Sequence, residues 1–376
     1  MTSRRQIRVR VDPEGRLEVV DPGFDSLDLL RRIDPSFQIR KGRLPGFVRP
    51  KVLRTRARGS GLALNELAGL PEQDLWLAHR RGVTMATSER AVTRRAAGEA
   101  SLLDLKIELA RRMLRACRLC GRRCGVDRLA GQRGPCGLGP DAFLAECFTH
   151  IAEEPPINPS LLLSLAGCGL KCRHCQQYPL REPEPLDIEV LSKDIWHRLD
   201  LGQARSISFA GGNPDESLPG ILRFLSWAPD GLRIPIVWNC HGYASAETID
   251  LLEGVVDAYL PDFKYGSNAC GLRLSQVADY PMVAAEAFRR MVNQGVPVIA
   301  RILVLPGHLD CCHRPALETL ASLGAANLRV SVRGQYCPDG DIGPADGEMA
   351  RRPWPNEVEA VQAFAKSLGL ELIEEV

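Results

Sequence analysis

The sequence lacks any long apolar run and any amino-terminal targeting pattern. The longest stretch without a charged side chain, residues 155–170, is interrupted by Pro and Asn and is shorter than the about 20 apolar residues that span a bilayer. The first ten residues contain neither an apolar segment nor a cleavage pattern, so we expect no signal peptide. These absences predict a cytoplasmic protein without a membrane segment. Thiols stay reduced in that compartment, so the 13 cysteines indicate metal ligands rather than disulfides.

Low-complexity and disorder-prone composition is also absent. Hydrophobic residues make up 45% of the chain and charged residues 25%, which excludes a disordered protein. At about 150 residues per domain, the 376 residues predict two to three structural units. The net charge of +2 conceals a division, because residues 1–136 carry 29 Lys/Arg against 15 Asp/Glu, whereas residues 137–376 carry 19 against 31. We therefore expect a basic unit and an acidic unit with different roles.

The basic amino-terminal part has little periodic structure. Alternating apolar residues before and after Pro13-Glu14-Gly15 predict a short hairpin. Residues 36–60 hold eight Lys/Arg and no acid. They are interpreted as an arm or a strap over the acidic half, with nucleic-acid contact as the alternative. Helices are expected over 65–79 and 101–116, the second capped by Ser101.

From residue 160 onward, short apolar runs alternate with amphipathic segments. The expected strands are 161–166, 205–210, 234–239, 255–263, 297–305 and 328–332. The expected helices are 188–201, 216–227, 245–254, 282–294, 314–323 and 356–368. This alternation predicts an α/β fold with an all-parallel sheet, either curled into a full or partial barrel or laid open as a doubly wound sheet. In each case ligands should bind at the carboxyl ends of the strands.

Three cysteines follow the first expected strand on one short loop: Cys168, Cys172 and Cys175. Thiolates at this spacing can converge on one inorganic centre, and three thiolates on a four-iron cubane leave one iron without a protein ligand. A three-cysteine zinc site and three unrelated buried thiols are the alternatives.

The Cys-x3-Cys-x2-Cys loop resembles the signature of the radical S-adenosylmethionine (SAM) superfamily. The resemblance implies a partial (β/α)6 TIM-like barrel with a basic amino-terminal extension and a Cys-rich segment before it. It also implies a [4Fe-4S] cluster on Cys168, Cys172 and Cys175, with SAM chelated to the fourth iron. Reductive cleavage of SAM then gives a 5′-deoxyadenosyl radical that abstracts hydrogen from a substrate. His174 occupies the position where an aromatic residue flanks the adenine.

Further blocks at the ends of the expected strands are similar to one branch of that superfamily, the uncharacterised relatives of the pyruvate formate-lyase activating enzyme. Gly-Gly-Asn-Pro stands where Gly-Gly-Glu is usual, and the match covers about residues 115–340. The resemblance implies SAM contacts from His174, Gly211, Gly212, Asn213, Asn239, Asp262, Lys264 and Arg301. Arg301 could equally form an interior salt bridge, Asp262 could position Lys264, and His308 is a candidate proton donor or substrate contact.

A second cysteine group precedes the expected barrel: Cys117, Cys120, Cys124 and Cys136. Four thiolates in a basic, Gly-rich segment fit an auxiliary iron–sulfur cluster or a structural zinc, and absence of metal is the third alternative. Nearby arginines should lower the thiol pKa values. The remaining cysteines are expected to be ordinary thiols, with Cys240 and Cys337 near the cavity: Cys147, Cys240, Cys270, Cys311, Cys312 and Cys337. The predicted units are thus 1–110 (extension), 111–155 (Cys-rich) and 156–376 (barrel).

The functional expectation is a radical SAM enzyme whose substrate the sequence does not identify. The resemblance to activating enzymes implies a glycyl radical enzyme partner as substrate, and a flavodoxin or ferredoxin as low-potential electron donor. Modification of a peptide, a small metabolite or RNA is an alternative, although the acidity of the barrel half disfavours nucleic acid. A non-catalytic zinc-binding interaction protein is the alternative from another class.

Overall fold

A computed structural model of the chain describes residues 9–11, 17–19, 41–87, 95–183 and 188–373. Its strands are β1 (Val9–Val11), β2 (Leu17–Val19), β3 (Gly59–Ala63), β4 (Glu99–Ser101), β5 (Phe143–His150), β6 (Ser160–Leu165), β7 (Glu189–Val190), β8 (Ser206–Gly211), β9 (Ile236–Cys240), β10 (Ala258–Pro261), β11 (Val298–Leu303) and β12 (Leu328–Arg333). Its α-helices are α1 (Lys51–Ala57), α2 (Glu72–Thr87), α3 (Leu102–Arg112), α4 (Leu218–Ser226), α5 (Ala246–Leu252), α6 (Asn268–Ser275), α7 (Tyr280–Asn293), α8 (Arg314–Ser322) and α9 (Pro355–Ser367). Within these ranges, the structure contains no helix that combines the length and the apolar character needed to span a bilayer.

The central sheet is mostly parallel. Its order is β12-β11-β10-β9-β8-β6-β5-β7, so the six strands expected from the sequence are neighbours in chain order. All five pairings among them are parallel. The expectation of an all-parallel sheet was wrong at one edge, where β5 pairs antiparallel with β6 and with β7. An α/β fold of this order is consistent with a TIM-like partial barrel.

Alternation along the strands separates two apolar layers. Trp238 and Tyr259 belong to the large core that the helices share, whereas Val237 and Leu260 pack on the opposite face with Leu44. Successive side chains of a strand point to opposite faces, so the helices cover one face. On the opposite face, Leu44 and its neighbours fill the end near the strand amino termini. The end near the strand carboxyl termini is left for a site.

The helices expected after residue 205 are all confirmed, and their ends differ from the expected ends by at most two residues. The helix expected over 188–201 was wrong, because this segment contains β7 and a 3-10 turn, Lys193–His197. The backbone of 189–190 pairs with β5 instead, and the indole of Trp196 donates to the Phe224 carbonyl. The helix expected over 65–79 begins later, at Glu72. The strand β5, the helices α1 and α6 and the pairing of β3 with β4 were not expected.

The described segments from residue 41 to the end of α3 pack against the sheet and its helices. The expected hairpin is confirmed by the antiparallel pairing of β1 with β2, and Ser101 caps α3 as expected, in a capping box with Asp104. Residues 41–50 run as a strap across the amino-terminal end of the sheet, where Gly42 N–H donates to the Asn158 carbonyl at 2.7 Å. A Cβ on Gly42 would lie 1.5 Å from the Pro155 carbonyl oxygen. The strap interpretation of the basic segment therefore holds for these residues.

Candidate functional site

The cysteine loop lies immediately after β6, at the carboxyl end of the parallel sheet. Cys168 and Cys172 are buried, Cys175 is partly exposed, and all three thiols are free. Burial raises the pKa of Cys168 well above its usual value, and the Glu216 carboxylate adds to this. Burial and the neighbouring Cys172 raise the pKa of Cys175 to about 11. The loop thus brings three thiols together, as the sequence predicted.

Two glycines at the end of β8 support the base of this loop. Gly211 has a φ of +97°, and a Cβ there would lie 2.4 Å from the Leu165 amide nitrogen. A Cβ on Gly212 would lie 2.4 Å from the Gly167 carbonyl oxygen. The Gly212 N–H donates to the Leu165 carbonyl at 2.6 Å. Only glycine fits so close a backbone approach, so both residues shape the site through the backbone.

Asn213 is buried and engaged inside the protein. Its Oδ1 accepts from the His241 N–H at 3.0 Å, and its Nδ2 donates to Glu216. Glu216 Oε1 also accepts the Gly169 N–H at 2.8 Å and lies 3.3 Å from His241 Nε2. Asn213 therefore holds Glu216 against the cysteine loop, and in this structure both ends of its amide already have partners.

A buried acid lies beside this network. Asp215 Oδ1 accepts from the indole nitrogen of Trp238 at 2.7 Å, whereas its Oδ2 has no hydrogen-bond partner among the described residues. Burial raises the pKa of Asp215, although His241 opposes the shift. Asp215, Glu216 and His241 offer ligand atoms within 4.8 Å of one another, but Glu216 and His241 are occupied by the hydrogen bonds above.

Lys264 faces the cysteine loop from the end of β10. Its Nζ donates to Asp262 Oδ2 at 2.6 Å. Burial opposes the charged ammonium, but Asp262 and the thiols of Cys172 and Cys175 outweigh this and raise the pKa of Lys264. A cation therefore stays beside Cys172 and Cys175 over the physiological pH range.

His174 lies in the same region, between the last two cysteines of the loop. Its ring packs edge-on to Tyr265 with centroids 6.0 Å apart, and 6.2 Å from Tyr336. Burial, with contributions from Lys264 and His308, lowers the pKa of His174 to about 3. The ring is therefore neutral. Its Nδ1 is buried without a hydrogen-bond partner in the described part of the chain, so a bound ligand would relieve an unsatisfied atom there.

Arg301 forms an interior ion-pair cluster. Its guanidinium contacts Glu154 twice at 2.6 Å and also pairs with Glu153. Arg333 adds a contact to Glu154 Oε1 at 3.1 Å, and Asn239 Oδ1 lies 3.5 Å from Arg301. The salt-bridge alternative for Arg301 is therefore what this structure shows, and Asn239 lies at the rim of that cluster.

The second cysteine group also comes together. Cys117, Cys120 and Cys136 are buried and Cys124 is exposed; each of the four interacts electrostatically with at least one other. The expected lowering of their pKa values by arginine was wrong for Cys117, Cys120 and Cys136, because burial raises the pKa of each thiol. Arg128, whose Nη1 lies 3.9 Å from Cys117 Sγ, reverses the shift of Cys117 only in part.

The two cysteine groups are in contact with each other. Gly169 lies in the loop that carries Cys168, Cys172 and Cys175. A Cβ on Gly169 would lie 2.5 Å from Glu216 Oε1 and 3.1 Å from Cys120 Sγ. Arg122, from the second group, donates to the Gly169 carbonyl. Arg128 donates at 2.8 Å to the backbone oxygen of Glu216. The segment before the barrel is thus built into the wall of the site.

The donor set of the first loop fits an iron–sulfur cluster better than a single zinc ion. Tetrahedral zinc with Zn–S bonds of 2.3 Å brings its thiolates about 3.8 Å apart, whereas cubane thiolates bind different irons. Among the described residues, the sets of three ligand atoms within 4.8 Å are Asp215 with Glu216 and His241, and Cys270 with His308 and Cys311. Neither set includes the thiols of the loop, so their spread suits the larger centre.

The comparisons with known proteins agree with this site. The family model described as the radical SAM superfamily matches residues 162–320. A curated relative, the uncharacterized protein MJ0674 of Methanocaldococcus jannaschii, is 34% identical over 283 residues, which are 73% of this chain and 81% of the relative. This chain belongs to the radical SAM superfamily. As a radical SAM protein it is an iron–sulfur enzyme that uses SAM, and the matched range contains the cysteine loop.

Two solved structures of Streptococcus suis SuiB also match, the second of them bound to S-adenosylmethionine. They share 14% and 12% sequence identity with this radical SAM chain, with TM-scores of 0.37 and 0.39. The alignments cover 55% and 57% of this chain and 46% and 45% of SuiB, so the chain spans less than half of those proteins.

Several residues of the site have no signal in the sequence. Glu153 and Glu154 lie outside any block that the resemblance covers in detail, and Glu216 stands in an ordinary helix start. Ser275, whose hydroxyl lies 2.9 Å from Cys172 Sγ, is brought there by α6, which was not expected. The burial of Glu216 would have identified it as a site residue, but burial can be seen only in the folded chain.

Proposed function

We propose that Cys168, Cys172 and Cys175 hold the [4Fe-4S] cluster of this radical SAM enzyme and that SAM binds beside them, against Lys264. The observation that carries the proposal is the partly buried Lys264 ammonium, which pairs with Asp262 and faces the free thiols of Cys172 and Cys175 at the carboxyl end of the sheet. A ligand with a carboxylate group needs a cation, and Lys264 is already charged and held in place by Asp262.

When bound, the cluster and SAM supply a one-electron cleavage to methionine and a 5′-deoxyadenosyl radical that abstracts a hydrogen atom. The chain's own residues bind and orient. Gly211 and Gly212 let the end of β8 approach the backbone at the base of the cysteine loop. His174 offers to the adenine a neutral ring and a nitrogen that has no partner among the described residues. Asn213 acts by holding Glu216, and Arg301, which is paired with Glu153 and Glu154, lies 3.5 Å from Asn239.

The substrate we propose is a protein glycine, in a glycyl radical enzyme partner. The support is the resemblance of the Gly-Gly-Asn-Pro block and of the later strand ends to relatives of the pyruvate formate-lyase activating enzyme. A flavodoxin or ferredoxin would supply the electron. Peptide, small-metabolite and RNA substrates are the competing outcomes of a substrate screen.

The test is anaerobic purification and reconstitution of the wild type, Cys172→Ala and Cys147→Ala. Cys147 is an exposed thiol on β5 and serves as the matched control. The wild type and the control should hold about four irons per chain at this site and form 5′-deoxyadenosine with dithionite and SAM. Cys172→Ala should lose both. A wild type that forms no 5′-deoxyadenosine after reconstitution, or that holds zinc in place of iron, would contradict the proposal and favour the zinc-binding interaction protein.

For the second group, we propose that Cys117, Cys120, Cys124 and Cys136 hold an auxiliary iron–sulfur cluster. Four thiols with no three in a set within 4.8 Å among the described residues suit a cluster better than one zinc ion. The reconstituted wild type should then contain about eight irons per chain, and Cys120→Ala about four. Retention of all iron by Cys120→Ala, with loss of zinc, would assign zinc to this group.

A further inference from the structure

Two cysteines and a histidine meet at a third place on the carboxyl side of the sheet. Cys270 lies in the first turn of α6, His308 follows the Pro-Gly turn after β11, and Cys311 lies in the π-helical turn Leu309–His313. One ligand atom of each lies within 4.8 Å of the other two. About 40 residues separate Cys270 from the other two, so no local pattern groups these three side chains.

The spacing of the two thiols matches a single metal ion. Cys270 Sγ and Cys311 Sγ are 3.6 Å apart, close to the about 3.8 Å of two thiolates on tetrahedral zinc. Thiolate and imidazole ligands select zinc and other soft or borderline ions over magnesium and calcium. The donor set therefore indicates zinc.

The histidine is oriented as a metal ligand. His308 Nδ1 lies 2.8 Å from the Pro306 carbonyl oxygen, so the proton resides on Nδ1 and the lone pair on Nε2. Metal-binding histidines characteristically donate the other ring N–H to a carbonyl or carboxylate, which fixes tautomer and ring plane.

In this structure the Arg273 guanidinium donates a hydrogen bond to His308 Nε2, with a nitrogen–nitrogen distance of 2.6 Å. The Arg273 side chain is exposed, so it can turn into solvent without disturbing the core. Two thiolates balance the charge of a zinc ion, which leaves the neighbouring guanidinium with little net repulsion.

We infer that Cys270, His308 and Cys311 form a zinc site that is separate from both cysteine groups described above. Its consequence for the fold is local: the ion joins the start of α6 to the connection between β11 and α8. The far end of α6 supports the cysteine loop, since Ser275 lies 2.9 Å from Cys172 Sγ and Arg173 N–H donates to the Leu274 carbonyl at 2.8 Å. Zinc would thus hold the helix on which the loop rests.

The test compares zinc per chain in the anaerobically purified wild type, Cys270→Ser, Cys311→Ser and His308→Gln, with Cys147→Ser as the control. Each ligand variant should contain one equivalent of zinc less than the wild type, and the control should match the wild type. Circular dichroism checks that the variants are folded. Zinc contents that are equal in the wild type and in folded ligand variants would overturn the inference.

A second measurement uses only the wild type, so that a misfolded variant cannot obscure the answer. The native protein is treated with iodoacetamide, denatured, and treated with a second alkylating reagent before peptide mass spectrometry. Cys311 is exposed, yet bound zinc should protect it from the first reagent and leave it to the second. Rapid labelling by the first reagent, or a Cys270–Cys311 disulfide, would refute the site. Neither measurement depends on SAM cleavage, so failure here is distinct from failure of the proposed enzyme activity.

Discussion

Removal of the Arg301 guanidinium is the sharpest test of how the interior of the site is held together. Glu154 is fully buried, and Arg301 contacts both of its oxygens at 2.6 Å. Breaking a buried ion pair from one side costs about 3–5 kcal/mol. Arg333 would remain at 3.1 Å from Glu154, so we expect Arg301→Met to fall near the lower figure. A loss of about 3 kcal/mol raises the unfolding equilibrium constant by about two powers of ten.

The assay is urea unfolding at pH 7 followed by tryptophan fluorescence, in the absence of SAM. Arg289→Met is the matched control, because the pair of Arg289 with Glu286 is roughly half exposed and contributes at most about 0.5 kcal/mol. Without SAM, a residue that served only as a SAM contact would leave the unfolding midpoint unchanged. An unshifted midpoint in Arg301→Met would therefore refute the ion-pair role.

The pH dependence of the same pair has a definite sign. Burial opposes ionisation of Glu154, but Arg301 and Arg333 outweigh it and lower the pKa of Glu154. A lowered pKa contributes stability that is present above the unfolded-state value of about 4.3 and is lost as the pH falls below it. In Arg301→Met the carboxylate lacks its main partner, so its pKa should rise. The stability difference between variant and wild type should then narrow from pH 8 to pH 5.

Three further predictions concern other parts of the molecule. Gly211→Ala should lower the free energy of unfolding by about 2–5 kcal/mol, because alanine is strained at this left-handed φ and overpacks the site. Gly231→Ala has open space around the new Cβ and should change that free energy by less than about 1 kcal/mol. Urea unfolding measures both variants. Ser275→Ala should lower the reduction potential of a cluster on Cys172 by about 40 mV for each kcal/mol of hydrogen-bond energy that is lost. A redox titration followed by electron paramagnetic resonance measures this potential. Burial lowers the pKa of Lys106 to about 7. The free energy of unfolding of the wild type should therefore fall as the pH drops from about 10 to about 7. Lys106→Met should be about 2–4 kcal/mol more stable than the wild type at pH 7.

Each of these predictions has a contrary result. Equal stability of the two glycine variants would show that the close approach after β8 carries no strain. An unchanged potential in Ser275→Ala would show that the hydroxyl does not act on Cys172. A pH profile that is the same in Lys106→Met and the wild type would show that this lysine titrates as it does in water.

The series of parallel strands was readable in the sequence because each strand is a short apolar run followed by an amphipathic helix. The choice between a barrel-like and a doubly wound strand order came only from the structure. The strand ends followed from the same pattern, which is why Cys168 and Lys264 could be placed at one edge. The edge strands β5 and β7 were missed, since exposed antiparallel strands carry a weaker apolar signal and β7 has only two residues.

Pairings between distant segments were the part that the sequence could not supply. Arg301 was seen as a cofactor contact or as a salt bridge, and only the fold brings Glu154 to it across 147 residues. Cys270 and Cys311 were interpreted as ordinary thiols for the same reason. Hydrogen-bond partners depend on crossings between elements, and no local pattern records them.

The shared core has a practical consequence for truncation. Leu103 and Leu109 of α3 belong to the same buried cluster as Leu222 of α4 and Trp238 of β9, and Leu44 lies on the opposite face of the sheet. A fragment that starts at residue 111, where the predicted amino-terminal extension ends, would expose the surface of α4 that α3 covers. It would also open the end of the sheet that the strap closes. We therefore expect such a fragment to aggregate on expression, and a shortened version of this enzyme should retain residues 41–110.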